Sequence, residues 1–128
     1  MATVSRSIRA RVQAQGSTRQ GARHWSAERA TSVALVPLSL WFVLSAIGLS
    51  GATYEEVRAW LGAPFNTTCM LLFVVALFWH AQLGVRAIID DYVHHELTKI
   101  VSLMLVNFAA VALGLACTVA VLKVSLGS

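Results

Sequence analysis

Three long apolar stretches leave this chain few folds to choose from. They run from about Thr31 to Ser50, from about Phe65 to Ile89, and from about Ile100 to Leu122. Each meets the ~20 residues needed to cross ~30 Å of hydrocarbon at ~1.5 Å per residue. Inside lipid every backbone N–H and C=O must find its partner within its own segment, so these stretches are predicted to be helices. Composition agrees: 12% of the 128 residues are charged, against roughly 25% in a soluble domain. The expectation is an all-α membrane protein of three transmembrane helices (about 31–50, 65–89 and 100–122) with short loops. A flexible basic N-terminal arm over residues 1–22 precedes one transmembrane domain over residues 23–128.

Orientation follows from arginine. Arg6, Arg9, Arg11, Arg19, Arg23 and Arg29 precede the first span, while the loop from Gly51 to Pro64 carries Arg58 beside Glu55 and Glu56. By the positive-inside rule the N-terminus is cytoplasmic. Three crossings then place Asp90 to Lys99 on that same side and the C-terminus in the periplasm. The net charge of +4 comes mostly from the arm, so it reports topology and contact with anionic lipid. No basic-aromatic pattern points to nucleic acid. The arm from Met1 to Ala27 is rich in Arg and has no acid. That also describes a mitochondrial targeting segment, but the favoured reading is a bacterial arm and a bacterial inner membrane. With no apolar core, it is not a secretory signal peptide.

Local signals mark the ends of the spans. Ser26 or Thr31 is expected to cap the first helix, Pro37 to kink it, and Gly48 and Gly51 to mark its end. Tyr54 and Trp60 read as interfacial anchors, and Pro64 suits a first helical turn. Gly127 closes the third helix. Cys69 and Cys117 sit in apolar stretches and read as packing residues.

The second span carries the chemistry. At ~100° per residue His80 shares a stripe with Gly84, Ala87 and Asp91. A histidine at this depth is costly unless something binds it. Two readings stand side by side: an axial ligand to haem iron, with Gly84 making room for a flat macrocycle one turn away, or an imidazole hydrogen-bonded to a neighbouring helix. Asp91 lies ~16 Å further along the axis, near the cytoplasmic interface. There Asp90, Asp91, Tyr92, His94 and His95 crowd together. Tyr92 can donate to a quinone carbonyl and Asp91 can hold a proton, or both are ordinary interfacial groups. Arg86 reads as a snorkelling side chain.

At His80-Ala81-Gln82-Leu83-Gly84 and Asp91-Tyr92 the sequence resembles the small hydrophobic membrane anchor of succinate dehydrogenase (complex II). His24-Trp25-Ser26-Ala27-Glu28-Arg29 resembles the approach to the first helix in mitochondrial members of that family, and Val33-Ala34-Leu35-Val36-Pro37-Leu38 resembles alphaproteobacterial ones. The resemblance covers roughly Ala22 to the C-terminus. It implies that His80 is one axial ligand of a single b-type haem shared with the partner anchor, the cytochrome b subunit, with Gly84 packing against it. It implies that Tyr92 hydrogen-bonds ubiquinone, that Asp91 lies beside it, and that Arg29 lies near the haem propionates and the quinone. The chain would then be a non-catalytic anchor for the flavoprotein and iron–sulfur subunits. It has no dinucleotide fingerprint and no cysteine cluster of its own.

Asp90 doubles the acid of the family pattern. His94 and His95 stand where other members often carry a basic residue or proline; facing the iron–sulfur subunit is preferred over passing protons. Gly48, Gly51 and Gly84, with Ala109, Ala110 and Ala112, are expected to give small-residue packing faces. Two other functions stay open: a quinol:fumarate reductase anchor running the chemistry in reverse, and a small multipass scaffold with no redox centre.

Overall fold

The computed structural model describes residue 23 and residues 25–127 in full, and the backbone of residues 2–22 and 24. The elements are α1 (Ala2–Gly48), α2 (Tyr54–Gly62), α3 (Pro64–Tyr92) and α4 (Glu96–Ser125). Three of them hold segments long and apolar enough to cross a membrane: Trp25–Gly48, Pro64–Tyr92 and Glu96–Ser125. The chain is a membrane protein with three apolar helices. It divides into two compact units, Met1–Ala30 and Thr31–Ser128. Met1, the side chains of the expected basic arm over residues 2–22 and the side chain of His24 lie outside the described residues.

Two expectations are corrected. The segment after the first span is not simply a loop, because Tyr54–Gly62 forms a helix. Its start is a capping box: the Glu56 amide donates to Thr53 Oγ1 (3.3 Å) and the Thr53 amide donates to Glu56 Oε2 (2.7 Å). Reciprocal satisfaction of two orphan amides lets nine residues hold as a helix. Nor do Ser26 and Thr31 cap the first helix, since both lie inside α1. Pro37 also lies inside α1, which runs on to Gly48, and Pro64 occupies the first turn of α3 as expected.

The Glu56 carboxyl is held below its ordinary value of 4.5, chiefly by the Thr53 amide and then by the Thr53 hydroxyl. A depressed carboxyl stabilises the cap above its ordinary pKa and loses that contribution as pH falls through the folded-state value. Protection of the Thr53 amide against exchange, relative to its intrinsic rate, should therefore be constant from pH 7 to pH 5 and drop below pH 4.5. Unchanged protection at pH 3 would rule out the carboxylate as its acceptor.

Packing is typical of helices that meet in lipid, where apolar burial offers no drive and close fit and hydrogen bonds decide. Among the described residues the buried apolar side chains are Leu61, Val74 and Ile89. Trp41 of α1 stacks on Trp60 of α2 at 5.6 Å, and Phe42 on Phe73 of α3 at 4.9 Å. Gln82 of α3 donates to Asn107 of α4 at 2.6 Å, joining two amides inside apolar spans. Within this chain the glycines expected to line small-residue faces make few close contacts. An added Cβ at Gly48, Gly51 or Gly84 would meet nothing within 4 Å, so these glycines do not pack inside this chain. Gly114 does, with Phe78 at 3.7 Å from its notional Cβ. That is ordinary contact, so Gly114→Ala should assemble normally. Gly114→Phe should lower the yield of folded protein in detergent, because a second ring cannot share the space with Phe78.

The far end of the bundle is tied down. Arg58 of α2 donates to the Gly127 carbonyl, Asn66 to the Trp60 carbonyl (2.9 Å), and Thr67 and Ser125 share a hydrogen bond of 2.8 Å. Gly127 has φ +77°, a left-handed conformation that closes the turn after α4.

Candidate functional site

Because α3 is one helix from Pro64 to Tyr92, His80, Gly84, Ala87 and Asp91 share a face of it as the spacing requires. His80 is half-buried. Its Nδ1 lies 3.2 Å from Thr31 Oγ1 and 3.4 Å from Ser32 Oγ, both on α1. Thr31 is 8% exposed and is the buried polar side chain among the described residues. Among those residues nothing hydrogen-bonds Nε2. When Nδ1 carries the proton and donates to a hydroxyl, the lone pair of a neutral imidazole stands at Nε2.

One turn on, the space over Gly84 is open in this chain. At the end of α3, Tyr92 is 78% exposed, Asp91 is exposed, and neither makes a side-chain hydrogen bond to a described residue. Asp90 differs from its neighbour: its carboxylate pairs with Lys99 Nζ at 3.2 Å, across the link between α3 and α4. The duplicated acid is thus split, one member paired and one available. Arg86 is exposed. Arg29 lies in the first unit, with its guanidinium 4.9 Å from the Trp25 ring centroid.

His80 and the Asp91-Tyr92 pair are therefore two stations on one helix, ~16 Å apart along its axis. Sequence reasoning missed the hydroxyls of Thr31 and Ser32. The available signal was two adjacent hydroxyl residues at the head of a span facing another span with a histidine. It also missed Gln82 and Asn107, which were legible as amides within apolar helices that need partners there.

The model of the succinate dehydrogenase/fumarate reductase transmembrane subunit family matches residues 5–121. The chain belongs to this family. This family member is 34% identical over 97 residues to the succinate dehydrogenase membrane anchor subunit of Reclinomonas americana, covering 73% of the chain and 81% of that relative. It is 30% identical to the succinate dehydrogenase hydrophobic membrane anchor subunit of Rickettsia conorii, over 77% of the chain and 79% of the relative. The protein of the same description from Paracoccus denitrificans is 34% identical over 60% of each chain. No solved structure matches this family member significantly. The family read from His80 to Gly84 and from Asp91-Tyr92 is thus the family found.

Proposed function

We propose that this chain is the membrane anchor subunit of a succinate:ubiquinone oxidoreductase. It holds the flavoprotein and iron–sulfur subunits at the membrane, shares a b-type haem with the cytochrome b subunit, and forms part of the quinone-reduction site. The observation that carries the reading is His80, an imidazole on a membrane-crossing helix with Nδ1 engaged by hydroxyls and Nε2 without a partner among the described residues. That donor arrangement fits an axial ligand. The open space over Gly84 fits a flat group held between two chains.

The haem, when bound, supplies reversible one-electron chemistry. The chain's residues do the rest. His80 offers its Nε2 lone pair, and Gly84 keeps the neighbouring turn clear. Arg29, braced on Trp25, carries a cation at the start of the first span, suited to carboxylates such as haem propionates. Tyr92 donates a hydrogen bond to a quinone carbonyl. Asp91, free of the ion pair that engages Asp90, holds and passes a proton as the quinone takes up two electrons and two protons.

The N-terminus is cytoplasmic in this reading, supported by the arginines before the first span. Tyr92 and Asp91 then lie on the side where electrons arrive. The membrane in this reading is the bacterial inner membrane, and the support for that is the arginine-rich arm, read as a bacterial positive-inside arm. The family description includes fumarate reductase, whereas the relatives above carry the succinate dehydrogenase name. Assaying both directions on one preparation separates the two.

The deciding experiment is a reduced-minus-oxidised visible spectrum of the tagged chain, purified from membranes in mild detergent and treated with succinate, then dithionite. A b-type band reduced by succinate is expected. A preparation that retains its partners and shows no band would remove the haem from the reading. A colourless chain that brings down no flavoprotein would return it to a scaffold.

A further inference from the structure

We infer that Thr31, assisted by Ser32, is a positioning residue that fixes the tautomer and ring orientation of His80 and thereby tunes the haem that His80 ligates. This rests on the haem reading above and extends it to residues of a different helix. Three observations carry it. Thr31 is buried, at 8% exposure, and its hydroxyl lies 3.2 Å from Nδ1. Ser32 presents a second hydroxyl to the same nitrogen at 3.4 Å, so both contacts fall on one side of the ring. The opposite nitrogen is without a partner among the described residues.

The chemistry follows. A metal-bound imidazole carries its proton on the other nitrogen, and an acceptor there fixes the tautomer, orients the ring and raises ligand basicity. A threonine is well suited: two heavy atoms on Cβ restrict χ1, so its hydroxyl is held in place. A hydrogen bond in an apolar span is stronger than the same bond in water. More basic imidazole stabilises ferric over ferrous iron, so the hydroxyl lowers the haem midpoint potential. Without it, the ring is free to turn and Nδ1 competes with Nε2 for the proton.

The test uses the assembled complex in detergent, with Thr31→Val, Thr31→Ser, and Thr31→Val combined with Ser32→Ala. The readouts are a redox titration of the haem band, the low-spin ferric EPR signal, and haem retained after washing. Thr31→Val is expected to move the midpoint potential upward, shift the EPR signal, and weaken haem retention by about 10- to 100-fold, the range for outer-sphere partners of metal ligands. The double variant should go further, and Thr31→Ser should restore the wild-type values. If Thr31→Val does not assemble, Thr31→Cys keeps the volume with a poorer acceptor and should shift the potential in the same direction. Wild-type potential and EPR signal in the double variant, or in Thr31→Cys, would overturn the inference while leaving the haem in place. A wild-type complex with no haem would instead overturn the reading on which it rests.

Discussion

Replacing His80 by alanine should abolish the b-type haem band of the purified complex. The variant removes Nε2, the nitrogen without a partner among the described residues. The loss should exceed the ~10- to 100-fold cost typical of removing an outer-sphere partner. The same substitution deletes the contacts of Nδ1 with Thr31 and Ser32, which join α3 to α1. The hydrogen bond shared by these contacts contributes ~1 kcal/mol, so the complex should also dissociate at lower detergent concentration. His80→Gln separates the two effects. Its amide can reach the hydroxyls but is a poor haem ligand, so it should keep more of the assembly and still lack the band. A variant with an unaltered haem spectrum would show that His80 is not the ligand.

Tyr92→Phe should leave the complex intact and slow quinone reduction by about tenfold. The ring is 78% exposed and its hydroxyl bonds no described residue, so no hydrogen bond to a described residue is lost. In the proposed function what goes is one donor to a quinone oxygen that gains charge during reduction, worth ~1.4 kcal/mol if the loss is tenfold. Electron transfer from succinate to a soluble acceptor that bypasses the quinone site should be unchanged. Equal loss with both acceptors would point to faulty assembly, and no loss with quinone would remove Tyr92 from the site.

Much of this molecule was legible because lipid simplifies the rules. Length and apolarity found the spans, since backbone groups in hydrocarbon leave a helix as the natural solution. Pro64 and Gly48 marked ends where a missing amide and a missing side chain are tolerated. The short helix α2 was missed although Thr53-Tyr54-Glu55-Glu56 carries the Thr-x-x-Glu spacing of a capping box, because so short a stretch between two spans, with Gly51 and Pro64 at its ends, passes for a loop. Thr31 was misread for a related reason. A threonine before an apolar run is a good cap by pattern, and only the placement of α1 against α3 turns its hydroxyl toward His80. The glycines were legible only in part, because a small residue signals a close approach without saying to whom. Gly84 is open within this chain, and Gly114 is the one against which Phe78 lies.

The two poles of the molecule differ in how complete they are. At the α2 pole, Arg58, Asn66, Thr67 and Ser125 direct their hydrogen-bonding capacity to this chain's own atoms. At the other, Asp91, Tyr92, Arg86, His94 and His95 have no side-chain partner among the described residues. The first pole can therefore settle as soon as the chain is inserted, and the second matures only when other subunits arrive. In a newly made, unassembled copy, amide exchange should be slow around Leu61 and Thr67 and fast from His94 to Glu96, a built-in timetable for assembly running from one membrane face to the other.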